Sequence, residues 1–289
     1  MKGTQVLHSL WKSKVTPLDL QEGQLIPAVV VADLAEDHPA LNHETTVSAH
    51  RLDKRACSLD GDRTKAIWRL NDNSLITREV LPEFLDTLDH DDVRARRSRE
   101  ELRMINGVMG NYRWLRRRLS EPQLEGQRVL ELGAGDGAFA RQVWREGITN
   151  PSLWTALDLT PEPDEWSREA RWLQRDLFTI SALPEAEIVV ANLFLHHLQD
   201  IQLAALGRLL PLACHTLLAC EPARRRVHIF QGRALSALAG LSKVTHHDML
   251  VSIRAGFAND ELPEALGLHD WQARISLTAL GAYRLEARR

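Results

Sequence analysis

The run Val129-Leu130-Glu131-Leu132-Gly133-Ala134-Gly135-Asp136-Gly137 constrains the fold more than any other stretch of the chain. A short apolar strand enters a turn with glycine at every second position. A helix follows in which Ala140, Val143 and Trp144 share one side. Glycine has no Cβ, so such a turn lets the backbone come close to a ligand. In an α/β sheet this strand–turn–helix unit opens the ligand-binding edge. The residues after it repeat the pattern: strand signals at 153–159, 172–173, 188–195 and 216–220 are interrupted by helical stretches such as 202–210. That alternation predicts a doubly wound α/β fold, a parallel sheet covered by helices. Two further runs, 272–278 and 283–287, flank Ala279-Leu280-Gly281-Ala282 and predict a closing antiparallel hairpin.

The chain has 289 residues, enough for a domain of about 200 residues with an added segment. Residues 1–92 make up an N-terminal segment of irregular pattern and no evident role. Within it 26–31, 45–52 and 66–70 have strand character, Asn71, Asp72 and Asn73 signal a turn, and 81–88 predicts a short helix introduced by Pro82. Residues 93–289 form the second part, which opens on a helix. Ser98 and Glu101 have capping-box spacing, and Leu102, Ile105, Met109, Tyr112, Leu115 and Leu119 follow at three- and four-residue steps up to Pro122 and Gly126.

A net charge of −3 supplies no field to gather nucleic acid or an anionic membrane. The arginine runs at 116–118 and 224–226 are expected on solvated helix faces or ends. Cys57, Cys214 and Cys220 are odd in number and lack CxxC spacing, which argues against a disulfide framework or a cysteine zinc site and for a reducing compartment. No stretch approaches the roughly 20 apolar residues that span a bilayer. The expectation is a cytoplasmic protein with no membrane span.

The glycine spacing G-x-G-x-G departs from the dinucleotide pattern G-x-G-x-x-G. Glu131 and Asp136 also set carboxylates beside the turn. A pyrophosphate there meets like charge worth about 1–4 kcal/mol at about 4 Å. A ligand carrying an ammonium and a sulfonium is attracted instead, which favours S-adenosyl-L-methionine. Asp158 closes the next strand, about 20 residues beyond the glycines, where a carboxylate accepts both ribose hydroxyls; a helix cap is the alternative. Further on, Asp176 is placed to accept from an adenine amino group while Leu177 and Phe178 shield the ring, again with a cap as the alternative.

Residues Glu131 to Gly137, then Asp158, Asp176 and Ala191-Asn192-Leu193-Phe194-Leu195-His196-His197-Leu198, resemble class I S-adenosylmethionine-dependent methyltransferases. Among these the small-molecule branch, which includes the quinone-biosynthesis type, is most similar. The resemblance covers about residues 98–289. It implies an enzyme built on a seven-stranded, mostly parallel sheet with its last strand antiparallel. By the same resemblance Glu131 and Gly133 line the methionine end of the cofactor, Gly135 and Gly137 belong to the same loop, Asp158 takes the ribose and Asp176 the adenine.

Methyl transfer from a sulfonium is an in-line displacement, so the protein holds the acceptor in line, excludes water and often removes a proton. The mouth of the sheet lies beyond the strand carboxyl ends, at 192–197 and Glu221. His196 and His197 are candidate proton acceptors because imidazole titrates near neutrality; packing of the cofactor pocket is the alternative. Asn192 positions either the acceptor or a cofactor carboxylate. In a second pair, His246 and His247, His247 is either a base oriented by Asp248 or simply precedes a residue that caps a helix beginning at Met249, the commoner arrangement. His38, His43 and His50, with Asp37 and Glu44, have spacings that suit neither a helix face nor a zinc knuckle, and no metal site is expected there.

The function expected is methylation of a small organic molecule, foremost on oxygen. Asn192 is not followed by the Pro-Pro-aromatic run that grips a flipped adenine, and neither a cysteine nucleophile near the fourth strand nor a basic extension is visible. No nucleic-acid partner is expected. Two alternatives stand beside this: a protein or RNA methyltransferase that recognises its substrate through residues 1–92, and a cofactor-binding scaffold without turnover. An open basic pocket favours a macromolecule, and a closed apolar pocket under residues 236–257 favours a small acceptor.

Overall fold

The computed structural model describes residues 75–89 and 92–289. The candidate strands at 26–31, 45–52 and 66–70, the turn at 71–73 and the histidines at 38, 43 and 50 lie outside the described residues. The described residues hold seven strands: β1 (Val129–Leu132), β2 (Trp154–Asp158), β3 (Arg171–Gln174), β4 (Ile188–Asn192), β5 (Thr216–Pro222), β6 (Gln272–Leu277) and β7 (Ala282–Arg288). They form one sheet in the order β3-β2-β1-β4-β5-β7-β6. The first five strands are parallel, and β7 runs antiparallel to both β5 and β6. This is the doubly wound, mostly parallel sheet expected from the sequence. The chain steps outward from β1 to β3 and returns on the other side of β1 as β4. The pairing Leu132↔Ala191 therefore sets the glycine turn beside Asn192, at the switch point where such sheets bind ligands.

Leu130 and Leu132 enter one apolar layer with Leu157, Val189, Ala191 and Leu217, whereas Val129 faces the other with Trp154, Ala156, Ile188 and Val190. Burial on both faces explains why these strands are apolar runs without polar alternation. Helices α1 (Val93–Met109), α2 (Asn111–Leu119), α3 (Ala138–Arg145), α4 (Asp200–Ala213), α5 (Arg226–Ala239), α6 (Lys243–Ala255) and α7 (Glu261–Ala265) cover them. Leu115 and Leu119 of α2 and Phe139 and Val143 of α3 fill the second layer, and Leu203, Leu206 and Leu210 of α4 with Leu262 of α7 fill the first. Each such leucine contributes about 1.5–3 kcal/mol by leaving water. Ile105 of α1, Ile229 of α5 and Met249, Leu250 and Ile253 of α6 form a third cluster, against which half-buried Leu75 packs. Among the described residues no helix is long and apolar enough to cross a membrane.

Four local expectations are corrected. The helix that Ser98 was to cap starts at Val93, with the Asp92 carboxylate accepting from the Arg94 amide at 2.8 Å. Gly110, at φ 67°, then divides α1 from α2. Ser98 and Glu101 serve another helix instead: the Glu101 carboxylate accepts from the Ser242 amide at 3.0 Å and from its hydroxyl at 2.7 Å, fixing the N-cap of α6, and the Thr245 hydroxyl donates to Ser98 Oγ at 2.9 Å. Because α6 begins at Lys243 on that cap, Asp248 is a buried mid-helix residue and not the cap of a helix starting at Met249. The helix expected at 81–88 shrinks to one 3₁₀ turn, Leu85–Thr87. The strand expected over 188–195 stops at Asn192, where Leu193 takes φ 51° and a 3₁₀ turn, Leu195–His197, follows.

Candidate functional site

The glycine turn is tied to β2 at two points. The Gly133 amide donates to the Leu157 carbonyl at 2.9 Å, and the Gly135 amide to Asp158 Oδ2 at 2.7 Å. The other carboxylate oxygen of Asp158 accepts from the Thr160 amide at 2.8 Å, with the Thr160 hydroxyl 2.8 Å away. At Gly133, φ 68°, a Cβ would stand 2.3 Å from the Phe194 ring, and at Gly137, φ 69°, 2.7 Å from the Trp166 ring. At Gly135, φ 61°, a Cβ would meet nothing within 4 Å. Two glycines therefore admit aromatic side chains from the protein, and the middle one leaves its backbone bare beside Asp158.

The charges around this turn differ from those suggested by residue type. Asp136 is paired with Arg103, Nη1 to Oδ2 at 2.7 Å. Glu131 is buried and accepts from Trp154 Nε1 at 3.0 Å. Burial foremost, helped by the charges of Asp158 and Asp136 and opposed by the Trp154 hydrogen bond, pushes its carboxyl up to about 8. Glu131 is thus neutral at pH 7 unless a cation joins it. A pyrophosphate is consequently disfavoured less by standing negative charge than by the glycine spacing. Asp176 accepts from the Phe178 amide at 2.8 Å as the cap of the 3₁₀ turn Leu177–Thr179; Leu177 is buried in the apolar layer and Phe178 is 39% exposed. Asn192 donates from Nδ2 to Asn106 Oδ1 of α1 at 3.1 Å, while its own Oδ1 is buried and has no hydrogen-bond partner among the described residues.

On the other side of the switch point lies a dense carboxylate–imidazole cluster. Glu221, fully buried at the end of β5, accepts from the amides of Leu195 at 2.9 Å and Phe194 at 3.2 Å through Oε1. Its Oε2 lies 2.7 Å from His196 Nδ1. The Nε2 of His196 is 3.6 Å from Glu83 Oε1, and Glu83 is also bonded by the Ser252 hydroxyl. Burial is the largest influence on His196 and opposes charge, but the hydrogen bonds and charges of Glu221 and Glu83 outweigh it and push the imidazole up to about 9. His197, its ring 4.2 Å from that of His196, is pushed down to about 4 by burial and then by the His196 charge. His247 Nδ1 lies 2.9 Å from Asp248 Oδ1, and its ring stacks on Phe84 at 3.7 Å. Asp248 also accepts from the Phe84 and Leu85 amides, at 2.7 and 2.9 Å.

Sequence reasoning found the two histidine neighbourhoods and Glu221 but missed Glu83 and Arg78. Arg78 donates from Nε to the Ala255 carbonyl at 2.8 Å, from Nη2 to the carbonyls of His196 (3.0 Å) and Leu198, and from Nη1 to Asp200 at 2.8 Å. It pins residues 75–89 over the His196 turn. No local pattern marks either residue, because each acts on partners more than 110 positions away. A separate groove of about 760 Å³ runs past Asn106 and Ala138 to the β6–β7 turn, and Arg103, Arg113, Arg116, Arg145 and Arg284 line it. None of the three candidate histidines does.

No protein-family model matches the chain, and no curated protein matches it. Solved structures do. The plantazolicin methyltransferase BamL, in complex with a triazolic desmethylPZN analogue and SAH, superposes with a TM-score of 0.53 at 10% identity, over 71% of this chain and 92% of that one. The plantazolicin methyltransferase BpumL in complex with SAH gives a TM-score of 0.52 at 13% identity, over 69% of this chain and 91% of that one. At such identities the likeness concerns the fold: the chain carries the seven-stranded sheet architecture of these methyltransferases.

Proposed function

We propose that this protein is an S-adenosylmethionine-dependent methyltransferase acting on a small organic molecule, foremost at oxygen. The observation that carries the reading is the glycine turn at the β1/β4 switch point, with Gly135 bare and tied to Asp158. The residues fit such a cofactor. Gly133, Gly135 and Gly137 bring backbone to the ligand, and Asp158 retains lone pairs for the ribose hydroxyls. Asp176 and Leu177 take the adenine end. The unpartnered Asn192 Oδ1 accepts from the ammonium, beside Glu131. The SAH bound in neighbouring structures supports the same assignment. When bound, S-adenosylmethionine supplies a sulfonium methyl activated for displacement.

The acceptor oxygen must lose its proton as the methyl arrives. His247 is the imidazole arranged for this: Asp248 holds Nδ1–H, leaving Nε2 as the basic nitrogen. His196 has a carboxylate at each nitrogen and orders the turn that carries His197. Residues 93–289 supply the methyltransferase core, and residues 75–89 close the acceptor side.

The second reading, methylation of a peptide, protein or RNA, has its own observation in the open, arginine-lined groove. Transfer of a labelled methyl group to panels of hydroxylated small molecules, peptides and RNA decides between them. Turnover of a small phenol or alcohol, reduced 100-fold or more in kcat by His247→Gln, is the expected result. Turnover confined to peptides or RNA, or no loss in His247→Gln, would contradict the reading.

A further inference from the structure

Glu83, His196 and His197 present donor atoms that all lie within 4.8 Å of one another. Each is arranged as a ligand is. Glu221 engages His196 Nδ1 at 2.7 Å, so Nε2 is the nitrogen turned to Glu83; a carboxylate behind a histidine is the usual support of a metal-bound imidazole. The imidazole of His197 makes no hydrogen bond among the described residues, although it sits against the His196 ring. Glu83 is buried, and its segment is anchored by the four donations from Arg78 and by the two backbone amides on Asp248. Three carboxylates, Glu83, Glu221 and Asp248, are thus buried around the imidazoles. A divalent cation among them would balance part of that charge.

We propose that Glu83, His196 and His197 form a divalent-cation site of two imidazoles and one carboxylate, a donor set best suited to zinc. Donor atoms around tetrahedral zinc are separated by about 3.4 Å, so closure of the cluster needs shifts of only about 1 Å. Three protein ligands leave a fourth position, which suits an acceptor oxygen. A cation held there would lower the pKa of a bound hydroxyl. That role rests on the methyl-transfer reading; binding of the cation does not.

The test uses the full chain, stripped with EDTA and titrated with cobalt(II) while its visible absorption is followed, then competed with zinc. One equivalent should bind, weakened tenfold or more by Glu83→Gln and by His197→Gln, each with unchanged circular dichroism. Absence of stoichiometric binding by the wild type, or wild-type affinity in either variant, would overturn the proposal. Should either variant not fold, zinc-edge X-ray absorption of the wild type decides: two imidazoles in the shell sustain the site, and fewer refute it. Loss of SAH binding by the wild type would instead strike the methyl-transfer reading and leave the cobalt result standing.

Discussion

The two sides of the switch point are built by different means. On the β1–β2 side, glycines within a nine-residue run shape the turn, and one carboxylate, Asp158, reaches back over 23 positions to hold the Gly135 amide. On the β4–β5 side the cluster is made of side chains from 83, 196, 197, 221, 247 and 248, brought together by a segment that precedes the sheet and a helix that follows β5. The first design, in the proposed function, fixes the cofactor through local geometry. The second assembles charge at long range, and its link to the turn runs through Glu221, which accepts from the amide of Phe194, the residue packed on Gly133. Away from that link, cofactor recognition and acceptor recognition should fail independently.

The largest separation is expected from Gly133→Val. A side chain there meets the Phe194 ring in a left-handed backbone conformation, so SAH affinity should fall more than 100-fold in calorimetry. Affinity within threefold of wild type would show that the turn is not the cofactor cradle. Arg78→Ala is the converse case. It removes four hydrogen bonds from residues 75–89, and thermal unfolding should report a loss of about 2–3 kcal/mol, while SAH affinity stays within threefold. Equal damage to both properties would mean that the two sides are one cooperative unit.

A smaller effect concerns Glu131. Its carboxyl is neutral below about 8 in the free protein, and a cationic ligand beside it favours the ionised form. S-adenosylmethionine binding should then release protons at pH 7 and tighten several-fold as pH rises toward 8, levelling above it. Calorimetry in buffers of different ionisation enthalpy counts the protons. Proton uptake, or affinity falling over that range, would place the ammonium elsewhere.

The same contrast explains what was legible in the sequence. β1, β2, β4 and β5 were readable because burial on both faces writes apolar runs, the closing hairpin because a Gly281 turn separates two strand-like runs, and the glycine turn because only glycine takes those conformations so close to Phe194 and Trp166. The use of Ser98 and Glu101 to cap α6 was not readable, since capping spacing looks the same whichever helix it serves. Glu83 and Arg78 were invisible for a related reason: neither sits in a local pattern, and their partners are fixed only by the tertiary fold. The neutral state of Glu131 likewise follows from burial under Trp154, which residue type does not reveal.

Calorimetric titration of the wild type with S-adenosylmethionine and S-adenosylhomocysteine, repeated on Asp158→Ala, tests the central claim most directly. Micromolar binding to the wild type, weakened tenfold or more (about 1.4 kcal/mol) in the variant, is the predicted result. Well-folded wild-type protein that binds neither ligand would contradict the assignment of the glycine turn to this cofactor.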